Sequence, residues 1–164
     1  MTLPAAPMSL AAEPDSAAPP PRPARAADLA LRVAGGVVTV WAGVLLALVE
    51  LLYATWAWEL VQGPPAGLPA ALVGIAAGAL GIAAAVLVTV LVGWFAHAAV
   101  TARWAVALAA LPWFVLIVAG GVRTTEGDLA LAGDNVLGLG MVVAGAVTFA
   151  VLGFRQLVLP PAPR

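Results

Sequence analysis

The sequence contains no cysteine, no lysine and a single histidine among its 164 residues. The lack of cysteine excludes disulfides, thiolate metal sites and cysteine nucleophiles, and one histidine cannot supply a paired-histidine haem or zinc site. Charged residues make up only 9% of the chain, whereas a soluble domain usually carries about 25%. The net charge of −1 gives no basic footprint, so we expect no nucleic-acid partner.

Apolar residues dominate the sequence, with 63% hydrophobic residues and a mean hydropathy of +1.07. They form four long runs, at about 33–60, 68–96, 104–122 and 136–157. A bilayer core of about 30 Å is crossed by about 20 helical residues. The sequence therefore predicts an all-α membrane domain over residues 28–159, a bundle of four transmembrane helices in the cell membrane, with the lipid bilayer as its main surroundings.

The N-terminal segment has a different composition. Residues 1–27 are rich in Pro, Ala and Ser and show no apolar periodicity, so they bury too little surface to offset the entropy of ordering. We expect a disordered tail there, and a short second tail at 160–164. The segment lacks the apolar core of a secretory signal.

Turn-forming residues separate the runs. Residues 62–65 read Gln-Gly-Pro-Pro, and the two prolines lack the N–H groups that a continuing helix needs. Before the fourth run, Asp134 or Asn135 can cap the exposed N–H groups. Asp28 can do the same before the first run.

The arginines predict an orientation. With four spans and a cytoplasmic N-terminus, only Arg123 lies outside the cell. The positive-inside rule favours this arrangement, so we expect a multi-pass protein with both termini in the cytoplasm. The arginines on the cytoplasmic side are then Arg22, Arg25, Arg32, Arg103, Arg155 and Arg164.

Small residues recur at helical spacing. In lipid, helices associate through close backbone approach, which favours such residues at contacts. Gly74 and Gly78 form a GxxxG pair, which is either a dimerisation face or an internal contact of one bundle; Val88 and Val92 would continue that seam. The predicted packing residues are Gly43, Ala47, Gly74, Gly78, Gly81, Gly140 and Ala144.

Glu50 is the ionisable residue well inside a predicted span, where a charge costs about 2.5–3.5 kcal/mol. At its depth the third helix offers the indole N–H of Trp113, whereas Arg123 lies at the outer surface and would have to dip inward. These three residues form the candidate intramembrane polar site. Glu50 is protonated, paired with a cation from another protein, or a neutral carboxyl hydrogen-bonded to Trp113 or a backbone carbonyl.

The loop at 123–128 carries acids that a hard cation would prefer, but it lacks the EF-hand spacing and is interpreted as a solvated turn. The chain has no G-x-S-x-G elbow, HExxH motif or P-loop. We expect no catalytic residues, no metal site and no cofactor.

The segment Arg-Thr-Thr-Glu-Gly-Asp-Leu at 123–129, followed by a glycine-rich fourth helix, resembles small four-helix integral membrane proteins of actinobacteria that are uncharacterised. The resemblance implies a four-helix topology and transfers no activity. The lone acid in the first of four helices is also similar in placement to that of the small multidrug resistance transporters. This chain departs from them in its long tail, the outward position of Glu50 and the lack of an aromatic-lined cavity around it.

Three function classes follow. An accessory or assembly subunit, packing against a larger membrane protein or against itself, accounts for the small-residue seams and the lack of a catalytic set. A small ion-coupled transporter using Glu50 is the alternative. A membrane enzyme needs two or more cooperating polar groups, so we expect the chain not to be an enzyme.

Overall fold

The computed structural model describes residues 22–62, 68–121 and 134–158, and these are folded into four α-helices. The prediction of an all-helical chain is thereby confirmed for the described residues. Three of the helices are long and apolar enough to cross a membrane. The helices are α1 (Arg22–Gln62), α2 (Leu68–Val100), α3 (Ala107–Gly120) and α4 (Val136–Val158).

The third helix is shorter than expected. α3 has 14 residues, or about 21 Å at 1.5 Å per residue, and does not fill the predicted 104–122. Residues before it form tight turns instead, in which the amide N–H of Ala107 donates to the Trp104 carbonyl at 2.9 Å and that of Leu108 to the Ala105 carbonyl at 3.1 Å. Pro112 lies inside α3.

α1 is longer than expected. It begins at Arg22, so the assignment of residues 22–27 to a disordered tail is wrong. A proline in the first turn costs no hydrogen bond, and the alanines that follow are strong helix formers. Asp28 does not cap the helix; it lies inside α1 and accepts a 2.9 Å ion-pair contact from Arg32 one turn later. The other tail residues, 1–21 and 160–164, lie outside the described residues.

α1 is the central helix. α2 and α3 both pack mainly on α1, α4 packs mainly on α2, and α3 and α4 touch little. A β-carbon on Gly35 would lie 2.7 Å from the Ala99 side chain, and one on Gly93 would lie 2.7 Å from Leu152. The early part of α1, the end of α2 and the end of α4 therefore lie together. We call this end of the bundle, which contains residues 101–106, the turn end.

Thr101 forms the reversal at the turn end. Its backbone has φ 58°, in the left-handed region that side-chain-bearing residues rarely adopt. Its amide N–H donates to the His97 carbonyl at 3.0 Å, which closes the last turn of α2. The chain can then reverse within a few residues and start α3 against α1.

The buried faces are built from small residues, with larger side chains filling the gaps between them. Gly43 and Ala47 are buried on α1, and Gly74, Gly78 and Gly81 on α2. A β-carbon on Gly74 would meet Val61, and one on Gly78 would meet Leu137 at 2.6 Å, so the GxxxG pair lies in contacts within this chain. Gly140 and Ala144 are only half-buried.

The seam of α2 changes register along its length. Beyond Ala85 the buried positions are Thr89, Gly93 and Ala96, while Val88 is exposed and Val92 is only half-buried. On α4 the buried face is Gly138, Met141, Gly145 and Phe149. The main core unites α1, α3 and α4 around Trp113, with Leu46, Ala47, Val106, Ala109, Ile117 and Phe149.

Candidate functional site

Glu50 lies on the face of α1 that contacts the other helices, and it is 3% exposed. The residues one turn away on either side, Ala47 and Ala54, are also buried. Their small side chains let the neighbouring helices approach α1 closely. The small-residue seam that brings the helices close thus also carries this carboxyl into the interior. A buried polar group needs a hydrogen-bond partner, because water no longer supplies one.

Trp113 of α3 supplies that partner. Its indole Nε1–H donates to Glu50 Oε2 at 2.8 Å, and the ring is fully buried. Phe149 lies beside the indole with ring centroids 5.4 Å apart. Gly145 gives the ring its space, since a β-carbon there would lie 2.7 Å from the indole Cζ2. The carboxyl is therefore oriented by an aromatic ring that the neighbouring helices hold in place.

The second carboxylate oxygen has no such partner. Glu50 Oε1 is buried and makes no hydrogen bond to any described residue. Glu50 also lines a cavity of about 210 Å³ between α1, α2 and α4, together with Tyr53, Ala85 and Met141. The Tyr53 hydroxyl donates to the Ala77 carbonyl at 2.9 Å, so this ring is fixed across α1 and α2. An aromatic side chain thus does line the cavity beside the acid, contrary to the expectation from sequence.

The third residue of the predicted polar site, Arg123, lies outside the described residues, as does most of the loop at 123–128. Among the described residues the ion pair is that of Asp28 with Arg32, and Glu50 has no cationic partner there. The structure therefore brings Glu50 and Trp113 together and leaves the pairing of Glu50 with a cation as a prediction.

Asn135 connects the start of α4 to α1. Its Oδ1 accepts the Gly138 amide N–H at 2.7 Å, which caps α4, and its Nδ2 donates to the Ala54 carbonyl at 3.1 Å. Of the two predicted capping residues it is thus Asn135 that caps the helix, while Asp134 accepts from Gln62 Nε2 at 3.2 Å. The contact with Ala54, one turn from Glu50, was not predicted.

Comparisons with family models, curated proteins and solved structures gave no match for this chain. The described residues contain no group of three or more His, Cys, Asp or Glu that could hold a metal ion.

The chemistry available at Glu50 is narrow. One carboxyl, held through one oxygen by an indole, can accept hydrogen bonds and exchange a proton or cation. Trp113 and Tyr53 orient the site and shape it. A hydrolytic or group-transfer site would add a nucleophile or a second acid–base group within hydrogen-bonding distance, and the described side chains around Glu50 provide none.

Proposed function

We propose that this chain is a non-enzymatic integral membrane protein whose four helices lie in the cell membrane with both termini in the cytoplasm. It acts as an accessory or assembly subunit that packs against a larger membrane protein or a second copy of itself. α1, α2 and α4 have the length and hydropathy for spanning. The non-α turn before α3 is compatible with this placement because Ala105 and Val106 are buried in protein.

One observation carries the assignment to an accessory role: α1 continues beyond its own partner helices. Residues 24–34 are helical and all exposed, a stretch of about 16 Å at 1.5 Å per residue. Arg25, Asp28 and Arg32 follow the same three- and four-residue spacing as the buried Gly35 and Thr39 further along. The face that packs inside the bundle thus continues outside it as a charged face that no described helix covers, as expected of a segment that engages another protein.

Reversing a charge on this segment tests the role. We expect Arg25→Glu to reduce the amount of partner that co-purifies after gentle detergent extraction by about fivefold, which corresponds to about 1 kcal/mol for a charge at an interface rim. Quantitative mass spectrometry of the purified sample measures it, and light scattering reports a second copy of the chain. Because Arg25 is exposed, the bundle itself stays folded.

Arg155→Glu is the matched control, since Arg155 is also exposed and near the turn end, but on α4. It leaves the co-purified material unchanged. A wild-type protein that is purely monomeric and free of companions contradicts the accessory role, and so does equal retention by the two variants.

A second function, a small ion-coupled transporter using Glu50, is favoured by a different observation. Three buried side-chain polar atoms have no hydrogen-bond partner among the described residues: Glu50 Oε1 beside its cavity, the Thr89 hydroxyl oxygen and Gln156 Oε1. The buried polar side chains among the described residues are Thr39, Glu50, Thr89 and Asn135. They lie at successive levels along the axis of the bundle. A sequence of interior polar groups is typical of ion and proton pathways.

Glu50→Gln separates the two functions. Glutamine keeps an oxygen that can accept the Trp113 N–H, but it cannot take up a proton. A transporter reconstituted in liposomes with a trapped pH dye therefore loses proton movement driven by a Na⁺ or K⁺ gradient, with the signal falling to that of empty liposomes. Glu59→Gln, at an exposed position on the same helix, retains it. Wild-type protein that moves no protons above the empty-liposome level eliminates this function.

A further inference from the structure

A long groove lies at the turn end, between the early part of α1 and the chain around the α2–α3 turn. Its volume is about 510 Å³ and its walls are almost entirely apolar. It runs from Arg32 to Trp41, about 13 Å along α1, which is close to the depth of one leaflet of a bilayer with a core of about 30 Å. The apolar lining comprises Val33, Gly36, Val37, Val40, Val100 and Leu108.

Gly36 makes the groove possible. It is half-buried, and a β-carbon there would lie 3.6 Å from Leu108 Cδ1, in ordinary contact. A larger side chain at this position would extend into the groove and fill it. The absence of a side chain at Gly36 therefore leaves open space between α1 and Leu108 in the groove.

The two ends of the groove differ in chemistry. Arg32 lines one end, and Arg103 is exposed in the adjacent turn. Arg32 contacts Asp28 through Nη2, but a guanidinium has five N–H donors, so others are free to bind an anion. Trp104 lines the groove at 60% exposure, and indoles favour the headgroup level of a membrane. Trp41, at 61% exposure, lines the opposite, deeper end, about 13 Å along α1 from Arg32.

We propose that this groove binds one phospholipid with an anionic headgroup. An acyl chain lies along the valines of α1 and beside Leu108, and the phosphate is bound at Arg32 and Arg103. The positive charge at the mouth favours an anionic over a zwitterionic headgroup, since basic pockets between transmembrane helices recognise anionic lipids. The inference rests on membrane insertion and goes beyond the accessory role, because it needs no protein partner.

Trp41 and Trp104 provide the readout. The full chain is reconstituted in phosphatidylcholine vesicles that contain a tenth of either dibrominated phosphatidylglycerol or dibrominated phosphatidylcholine, since bromine quenches nearby indoles. We expect stronger quenching by phosphatidylglycerol, with a relative affinity about fivefold higher per contacting arginine. The part of the quenching that is lost in the double variant Trp41→Phe/Trp104→Phe is the part that arises in the groove.

Matched variants separate the contributions. Arg32→Gln reduces the preference for phosphatidylglycerol over phosphatidylcholine by about fivefold. Asp28→Asn increases this preference, because it removes a carboxylate that competes for Arg32. Gly36→Leu lowers the groove quenching by both lipids. Arg155→Gln, which removes an exposed arginine near the same end of the bundle, leaves the preference unchanged.

Equal quenching by the two brominated lipids in wild type overturns the proposal, because it indicates non-selective boundary lipid only. An equal loss in Arg32→Gln and Arg155→Gln overturns it as well, since it shows general surface charge instead of a site. If Gly36→Leu does not fold, the exposed Arg32 and Asp28 variants still decide the outcome. Flotation of the vesicles, measured first, reports insertion separately, so a failure to insert is distinguished from a failure to bind the lipid.

Discussion

We expect Gly43→Val to destabilise the bundle by about 3 kcal/mol, at the upper end of what overpacking a core usually costs. A β-carbon at this position would overlap the backbone carbonyl oxygen of Ala109 and lie 2.9 Å from Ala109 Cα. The obstacle is backbone, which cannot rotate away as a side chain can. Valine therefore forces α1 and α3 apart and opens the core that they share.

The measurement is the free energy of unfolding in mixed micelles, from titration with a denaturing detergent followed by far-UV circular dichroism and tryptophan fluorescence. Gly153→Val is the matched control, because a β-carbon at Gly153 meets nothing within 4 Å. We expect the control to change stability little. Equal stability of the Gly43 variant and wild type would contradict the close approach of α1 and α3.

Trp113→Ala is the second change with a large expected effect. We expect it to lower the free energy of unfolding by about 3–5 kcal/mol. The indole is fully buried at the centre of the main core, so its removal leaves a cavity that α3, α1 and α4 cannot close. It also removes the N–H that donates to Glu50 Oε2. The loss of packing and the loss of a hydrogen bond to a buried carboxyl therefore act in the same direction.

Trp94→Ala provides the comparison, because Trp94 is 70% exposed and its removal leaves no interior cavity. Trp113→Phe separates the two contributions, since it keeps most of the ring volume but cannot donate a hydrogen bond. Combining it with Glu50→Leu in a double-mutant cycle measures the coupling of the two side chains. A coupling near zero would contradict the hydrogen bond, and equal effects of the two Trp→Ala changes would contradict the burial of Trp113.

The regular part of the fold was predictable because its signals are local. Runs of apolar residues, turn residues at 62–65 and a cap before residue 136 together predict four helices, and small residues at helical spacing predict Gly43 and Ala47 on the buried face of α1. The start of α1 was not predictable in the same way, because Pro and Ala in 22–27 suit both a tail and the first turns of a helix. Composition alone could not distinguish these two states.

The set of buried residues on α2 could not be predicted from the sequence for a different reason. A strict continuation of the seam past Ala85 gives Val88 and Val92, but the structure buries Thr89 and Gly93. The change lets Leu152 of α4 approach α2 where Gly93 has no side chain. Which α2 residues are buried here thus depends on a helix about sixty residues later in the chain. The sequence of α2 alone does not carry this information.

At the candidate site, the expected depth of Glu50 in the membrane identified Trp113 as the group opposite it on the third helix, and the structure places the two side chains in contact. Tyr53 was overlooked, although its position three residues after Glu50 places it on a neighbouring part of the same helix surface. The contact of Asn135 with Ala54 could not be inferred, since it depends on how the start of α4 is angled against α1.

The central position of α1 has a consequence for biosynthesis. α2 and α3 find their main partner in α1, and α4 finds its main partner in α2, so every helix docks on one that the ribosome has already released. Proteins generally fold from the N-terminal side as they are made. The helices can therefore dock in the order of translation, and the core around Trp113 is completed when Phe149 of α4 joins it.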